Sequence, residues 1–230
     1  MVELIQSVGL GLMLILPLAN PLTTMVLFLG LSPGMSRAEQ HRQIAQATFY
    51  VFLIMLVAFY GGQFIMSSFG ISIPGLRIAG GLIVSLIGIH MLFSPQQFDD
   101  SMEASAKAAQ MRDRDRDRNV NIALVPLAMP STAGPGTIAM LVSTAAQIEG
   151  DTSVSPWVLA VAPTLTFVIV SAIVWACLRC SGVIMHWLGS SGIAAISRLM
   201  GFLLVCMGTQ FVINGVVDIV AGLPGAGGRS

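Results

Sequence analysis

A proline-broken apolar stretch occurs twice in this chain, and that repetition restricts the fold more than any other feature. Leu16-Pro17-Leu18-Ala19-Asn20-Pro21-Leu22-Thr23 is echoed by Met129-Pro130-Ser131-Thr132-Ala133-Gly134-Pro135-Gly136-Thr137, and Arg77-Ile78-Ala79-Gly80 by Arg198-Leu199-Met200-Gly201. The first pair is offset by 113 to 114 positions and the second by 121, as one duplication with a small indel would produce. With three spans per copy, the second copy enters the bilayer from the opposite face. Inverted repeats whose spans are interrupted by Pro and Gly are a common architecture of secondary transporters. The expected fold is an all-α polytopic membrane protein. Six transmembrane helices would form two inverted-topology three-helix repeats with broken first helices.

Composition agrees with a membrane class. The chain is 55% hydrophobic and 10% charged, with a mean hydropathy of +0.83, well away from a soluble globular domain. A span needs about 20 apolar residues to cross roughly 30 Å of hydrocarbon. Six stretches qualify: Leu4–Leu31, Ile44–Met66, Leu76–Phe93, Val120–Ala146, Trp157–Leu178 and Ile196–Val220. The start, Met1-Val2-Glu3, lacks the basic residues of a secretory signal, so the first apolar run is expected to be retained. Residues 1–93 then form the first repeat, 94–119 a charged cytoplasmic linker, 120–220 the second repeat and 221–230 a disordered tail.

Orientation follows from Lys and Arg. Loops one, three and five, with Arg198 at the start of span six, hold nine of them, and the other face only Arg77 and Arg229. Counted by the positive-inside rule, both termini are periplasmic in a bacterial inner (plasma) membrane. The linker carries Arg112-Asp113-Arg114-Asp115-Arg116-Asp117-Arg118, an alternating tract of near-zero net charge that cannot bury a core. Cys177 and Cys180 make one CxxC with no second pair and no nearby His, so packing is favoured over zinc or redox chemistry, and Cys206 reads the same way.

Chemistry in such a chain belongs where polarity survives inside the spans. Span one holds 28 residues, roughly 42 Å if continuously helical. Pro17 and Pro21 each remove a backbone donor and disfavour helical geometry just before themselves, with Asn20 between them. Two half-helices are expected, the second starting near Leu22 with Thr23 and Thr24 in its first turn. In span four, Pro130, Gly134, Pro135 and Gly136 unwind the middle, Ser131 and Thr132 line the break, and Thr137 opens the second half. Non-helical backbone at this depth is tolerated only when buried in protein or facing a watery cavity. Opposed topology brings the positive ends of both second half-helices to one volume. Asn20, Pro21, Thr23, Thr24, Ser131, Thr132, Gly134, Pro135, Gly136 and Thr137 are therefore the expected substrate-binding set. Kinks whose hydroxyls satisfy only local backbone are the competing reading.

No Asp or Glu lies deep in a span; Asp218 is near the end of span six and Glu3 precedes span one. Nothing resembles a carboxylate dyad, metal cluster or nucleophile–base pair, so no enzyme, cofactor or metal is expected, and no nucleic-acid partner. His90, near the end of span three, reads as interfacial. Arg77 and Arg198 serve either gating and anion attraction or snorkelling at the surface. The small-residue surface from Gly80-Gly81 to Gly88 suits either tight internal packing or a homo-oligomer contact.

Pro17–Thr24, Ile71–Gly81, Pro126–Thr137 and Ile196–Phe202 closely resemble the MarC family of bacterial inner-membrane proteins over nearly the whole chain, departing mainly in loop three and the tail. The resemblance implies a six-span inner-membrane protein grouped with LysE-like exporters and, more loosely, export of a small solute. The family name reflects a genomic locus and does not imply drug efflux. The combined expectation is a secondary exporter of a small polar solute, anionic or zwitterionic, in the lipid bilayer. The alternative is a non-transporting membrane scaffold or modulator. A reporter active only in the cytoplasm should be silent when fused after Ser230 and active near Lys107. The opposite pattern would invert the orientation, and equal activity at both sites would remove the odd number of spans per repeat.

Overall fold

A computed structural model describes residues 2–33, 35–93, 123, 127–128, 132–149 and 155–222. The linker at 94–119, the tail beyond 222 and Ser131 lie outside the described residues. The described elements are all helical: α1 (Val2–Ala19), α2 (Pro21–Leu31), α3 (Arg37–Phe69), α4 (Ile73–Phe93), α5 (Pro135–Glu149), α6 (Pro156–Arg179) and α7 (Ser181–Ala221). Five stretches are long and apolar enough to cross a membrane: Val2–Leu31, Arg37–Gly62, Ile73–Phe93, Trp157–Arg179 and Ser191–Ala221. Pro135–Ala146 is a shorter apolar helix. It is the second half of the expected span Val120–Ala146, whose first half is described only at Ala123, Leu127 and Ala128.

Local chemistry explains the element boundaries, and it corrects three expectations. First, α1 runs straight through Pro17, and the break falls on Asn20 alone, in the left-handed region at φ 37° and ψ 64°. Both Leu16 and Asn20 precede a proline and are pushed away from helical geometry. Only Asn tolerates the left-handed region and can offer a side-chain acceptor in return. Asn20 Oδ1 accepts from Thr23 N at 3.4 Å, while Asn20 N still donates to Leu16 O at 3.2 Å.

Second, α3 begins at Arg37, seven residues before the expected Ile44, so Arg37 and Arg42 are helical rather than in a loop. A capping box fixes that start: Glu39 N donates to Ser36 Oγ at 3.2 Å and Ser36 N to Glu39 Oε2 at 2.9 Å. Third, α7 begins well before the expected Ile196, and Gly189 (φ 63°, ψ 175°) bends it ahead of the span from Ser191.

Packing centres on α3 and α6, which lie against each other, with α5 on α3 and α1 and α2 on α6. Ile15 and Ala19 of α1, Val51, Met55 and Phe59 of α3, Leu141 of α5 and Phe167 of α6 form one buried cluster. Phe59 and Phe167 meet edge-to-face at 5.6 Å, worth about 0.5–1.5 kcal/mol beyond the area they bury. A second cluster joins Phe28 and Leu31 of α2 to Ile44, Ala47, Leu127, Val174 and Leu178. Large apolar side chains such as Phe64, Phe202 and Trp187 remain exposed, as suits a surface solvated by lipid.

The closest helix pair is α4 with α7, and glycine makes it so. A Cβ on Gly81 would stand 2.5 Å from Gly208 O, and one on Gly88 2.6 Å from Gly201 O. The small-residue surface is thus filled from within the chain, because bare backbones on both helices let dispersion contacts accumulate without any side chain between them. Gly81→Leu should therefore lower the melting temperature in detergent by several degrees, in line with the roughly 1–3 kcal/mol of an overpacked core. Gly9→Ala should not lower it, since nothing lies within 4 Å of a Cβ there. Equal tolerance of both substitutions in a thermal unfolding series would contradict the contact.

Candidate functional site

The two breaks meet. Thr24, in the first turn of α2, and Thr132, just before α5, share a hydroxyl–hydroxyl hydrogen bond of 2.9 Å across 108 residues of sequence. Both are almost wholly buried, at 1% and 0% exposure, so this contact is shielded from competing solvent. One hydroxyl donates across this contact, which lets the other donate to backbone: Thr24 Oγ1 lies 3.3 Å from Asn20 O, which also accepts from Thr24 N, and Thr132 Oγ1 lies 3.2 Å from Leu127 O. Thr137 Oγ1 donates to Thr132 O at 3.2 Å. The turn before the break is loosened, Ala133 N bonding five residues back to Ala128 O at 2.9 Å. Gly134 then leads into Pro135, whose missing N–H costs nothing at a helix start.

The breaks lie deep. Ala19 packs with Val51 and Met55 of α3, which at 1.5 Å per residue stand ~21 to 27 Å along that helix from Arg37. Beside them opens a cleft of about 720 Å³ whose wall is the second half of α4. Asn20, Thr23, Gly134, Pro135, Gly136 and Thr137 all line it. Gly136 sits close against this wall, where a Cβ would stand 3.1 Å from Ile87 Cδ1 of α4. The first turns of α2 and α5 therefore open into one volume. Their first N–H groups have no partner within their own helices, and both helix dipoles present their positive ends there.

The remaining expected residues fall elsewhere. Pro21, Thr24 and Thr132 shape the breaks without lining the cleft, the two threonines bonding each other instead. Arg77 has an anionic partner within the chain: its guanidinium is ion-paired with Asp218 of α7, far along α4 from the cleft. Arg198 is exposed and is not among the cleft residues.

Two residues enter that the sequence reading did not place at the site. His90, read as interfacial, lines the cleft, and the Asn20 amide donates to the sulfur of Met91 at 3.7 Å. The signal was present as a helical stripe, Ile83, Ile87 and His90 following one face at intervals of four and three. What was lacking was the knowledge that this face looks at the breaks.

Comparison with known proteins identifies the family. A family model described as MarC family integral membrane protein matches residues 5–220. The inner membrane proteins MarC of Escherichia coli O1:K1 / APEC and of Escherichia coli strain UTI89 / UPEC are each 58% identical to the chain over 220 residues. Those alignments cover 96% of this chain and 98% of each relative. The Escherichia coli K12 protein of the same name is 57% identical over the same length. No solved structure matches the chain. Long apolar helices and a match over nearly every residue lead to one assignment: the chain belongs to the MarC family of multi-pass integral inner-membrane proteins.

Proposed function

We propose that this protein is a secondary transporter that exports a small polar solute, anionic or zwitterionic, through the cleft at the two helix breaks. The carrying observation is that both first turns, 114 residues apart in sequence, open into one cleft of about 720 Å³ lined by Asn20, Thr23, Thr137 and His90. Asn20 and Thr23 offer neutral donors and acceptors, and the helix ends favour negative charge. No Asp or Glu is among the described lining residues to oppose it. A bare cation is correspondingly disfavoured.

The same reading makes the chain two inverted three-helix repeats, with both termini periplasmic and the 94–119 linker cytoplasmic. Contact pairing of α4 with α7 is consistent with the opposed direction of the repeats. Gly81 and Gly88 of α4 are seven residues apart, as are Gly201 and Gly208 of α7, and each meets the opposite member of the other pair. This is the pattern of an antiparallel pair, the relation that opposed topology requires of the third helix in each repeat. Nucleophiles and general bases are not part of the reading, and the protein is taken to act without catalysis or cofactor.

The test removes the breaks. Pro21→Ala combined with Pro135→Ala relieves two helix-breaking residues, each worth about 3 kcal/mol of propensity in a helix interior and less at a first turn. The double variant should reach the membrane in near-normal amount. It should lose saturable flux of the exported solute in proteoliposomes, that solute being identified by comparing what cells with and without the protein retain. Flux that persists unchanged would reduce the breaks to kinks.

A further inference from the structure

On the far side of the breaks lies a second cavity of about 270 Å³ between α1, α3, α5 and α6. It occupies the half of the molecule where α1 and α6 begin, the ends that Ser155 Oγ and Glu3 Oε2 tie together at 3.3 Å. Its walls are mostly apolar, with Ser7, Thr144 and Thr166 as its side-chain hydroxyls. Thr166 is turned to its own helix, donating to Ala162 O at 2.8 Å. Pro163 also lines it and has no N–H for the carbonyl of Leu159, another lining residue.

The cavity and the cleft are close neighbours along the same two helices. On α1, Ile15 lines the cavity and Leu18 lines the cleft. On α5, Leu141 and Met140 line the cavity and Thr137 lines the cleft. The steps of three and four residues are each about one helical turn, ~5 Å. Between them stand Ile15, Ala19 and Leu141, all in the buried core, with Ile138 packed against it.

We infer that the cavity is the outer antechamber of the path that begins in the cleft, and that one turn of apolar side chains, Ile15 with Leu141, is the plug between them. This inference rests on the transport reading of the cleft and adds a second binding position to it. The antechamber takes the uncharged, apolar portion of a solute whose polar end is held at Asn20, Thr23 and the start of α5. It is larger than a ~150 Å³ apolar cavity that accepts benzene, so a compact branched or aromatic group fits and a long chain does not. A solute with charges at both ends is disfavoured, because none of the described lining residues of the antechamber is charged to meet the second charge.

Thiol labelling tests this without a known solute. In protein whose Cys177, Cys180 and Cys206 are replaced by Ser, Thr23→Cys should react with a membrane-impermeant methanethiosulfonate applied from the face opposite the termini. It should be protected from the face that bears them. Adding Ile15→Ala should raise labelling from the termini face at least tenfold, and adding Thr144→Phe, which fills the antechamber, should return it to the starting rate. Should Ile15→Ala fail to elute as a folded species, Leu141→Ala serves in its place. Labelling that stays one-sided after either folded truncation overturns the plug while leaving the cleft intact. A thiol at position 23 that reacts from neither face removes the cleft as an aqueous site, and the antechamber with it.

Discussion

Every unpaired backbone group inside a bilayer must find a partner within the protein, and the structure around Asn20 and Thr132 is organised by that demand. Each helix break exposes several N–H and C=O groups where water is scarce and an unsatisfied group costs several kcal/mol. The chain meets the demand with short hydroxyl and amide side chains. Asn20 caps α2, Thr24 and Thr132 bridge the two breaks, and Thr137 ties the first turn of α5 to the carbonyl of Thr132. Substituting these threonines by valine would keep the shape and remove the Thr24–Thr132 bridge and the Thr137 bond to Thr132 O, which is why threonine is suited to them. The same residues hold the two broken spans in register, so satisfying the backbone and locating the cleft are one physical event.

The cleft also needs a firm wall, and glycine provides it. With Gly81, Gly88, Gly201 and Gly208 bringing α4 and α7 backbone to backbone, α4 cannot drift away from α7 without losing its closest contact. The Arg77–Asp218 ion pair clamps the same two helices where α4 begins and α7 ends. Removing either partner would leave the other charge unpaired in a partly buried site, a larger penalty than the pair's own net contribution. The clamp stands at the opposite end of α4 from His90, so the wall is fixed at one end while its other half borders the cleft.

Much of this was legible in the residues because prolines and glycines act locally. Pro21 and Pro135 disfavour helical geometry just before themselves whatever surrounds them, and the observed breaks fall at Asn20 and at Gly134. The survival of α1 through Pro17 was not legible, since it turns on which preceding residue can cap a new helix, Asn20 and not Leu16. The meeting of Thr24 with Thr132 could be expected only as convergence on a volume; the hydrogen bond depends on rotation of two helices about their axes, which no one-dimensional pattern fixes. The face of His90 was hidden for the same reason. The glycine stripe on α4 left two readings open, and only the position of Gly201 and Gly208 opposite it decides for internal packing.

On the proposed transport reading, selection by helix ends rather than by a buried cation has a consequence for the empty state. A Lys or Arg at bilayer depth costs roughly 2.5–3.5 kcal/mol even on the mildest scale, and that cost is borne whenever no anion is bound. Two convergent helix ends together present about one positive charge's worth of potential without a desolvated ionic group. The two ends are not equivalent, however. At α2 the Asn20 oxygen already occupies Thr23 N, whereas α5 opens with Gly134, Pro135 and Gly136, none of which has a side chain able to cap it. An anionic group in the cleft would therefore settle against the start of α5, leaving the amide of Asn20 and the hydroxyl of Thr23 to the uncharged polar atoms of the same solute.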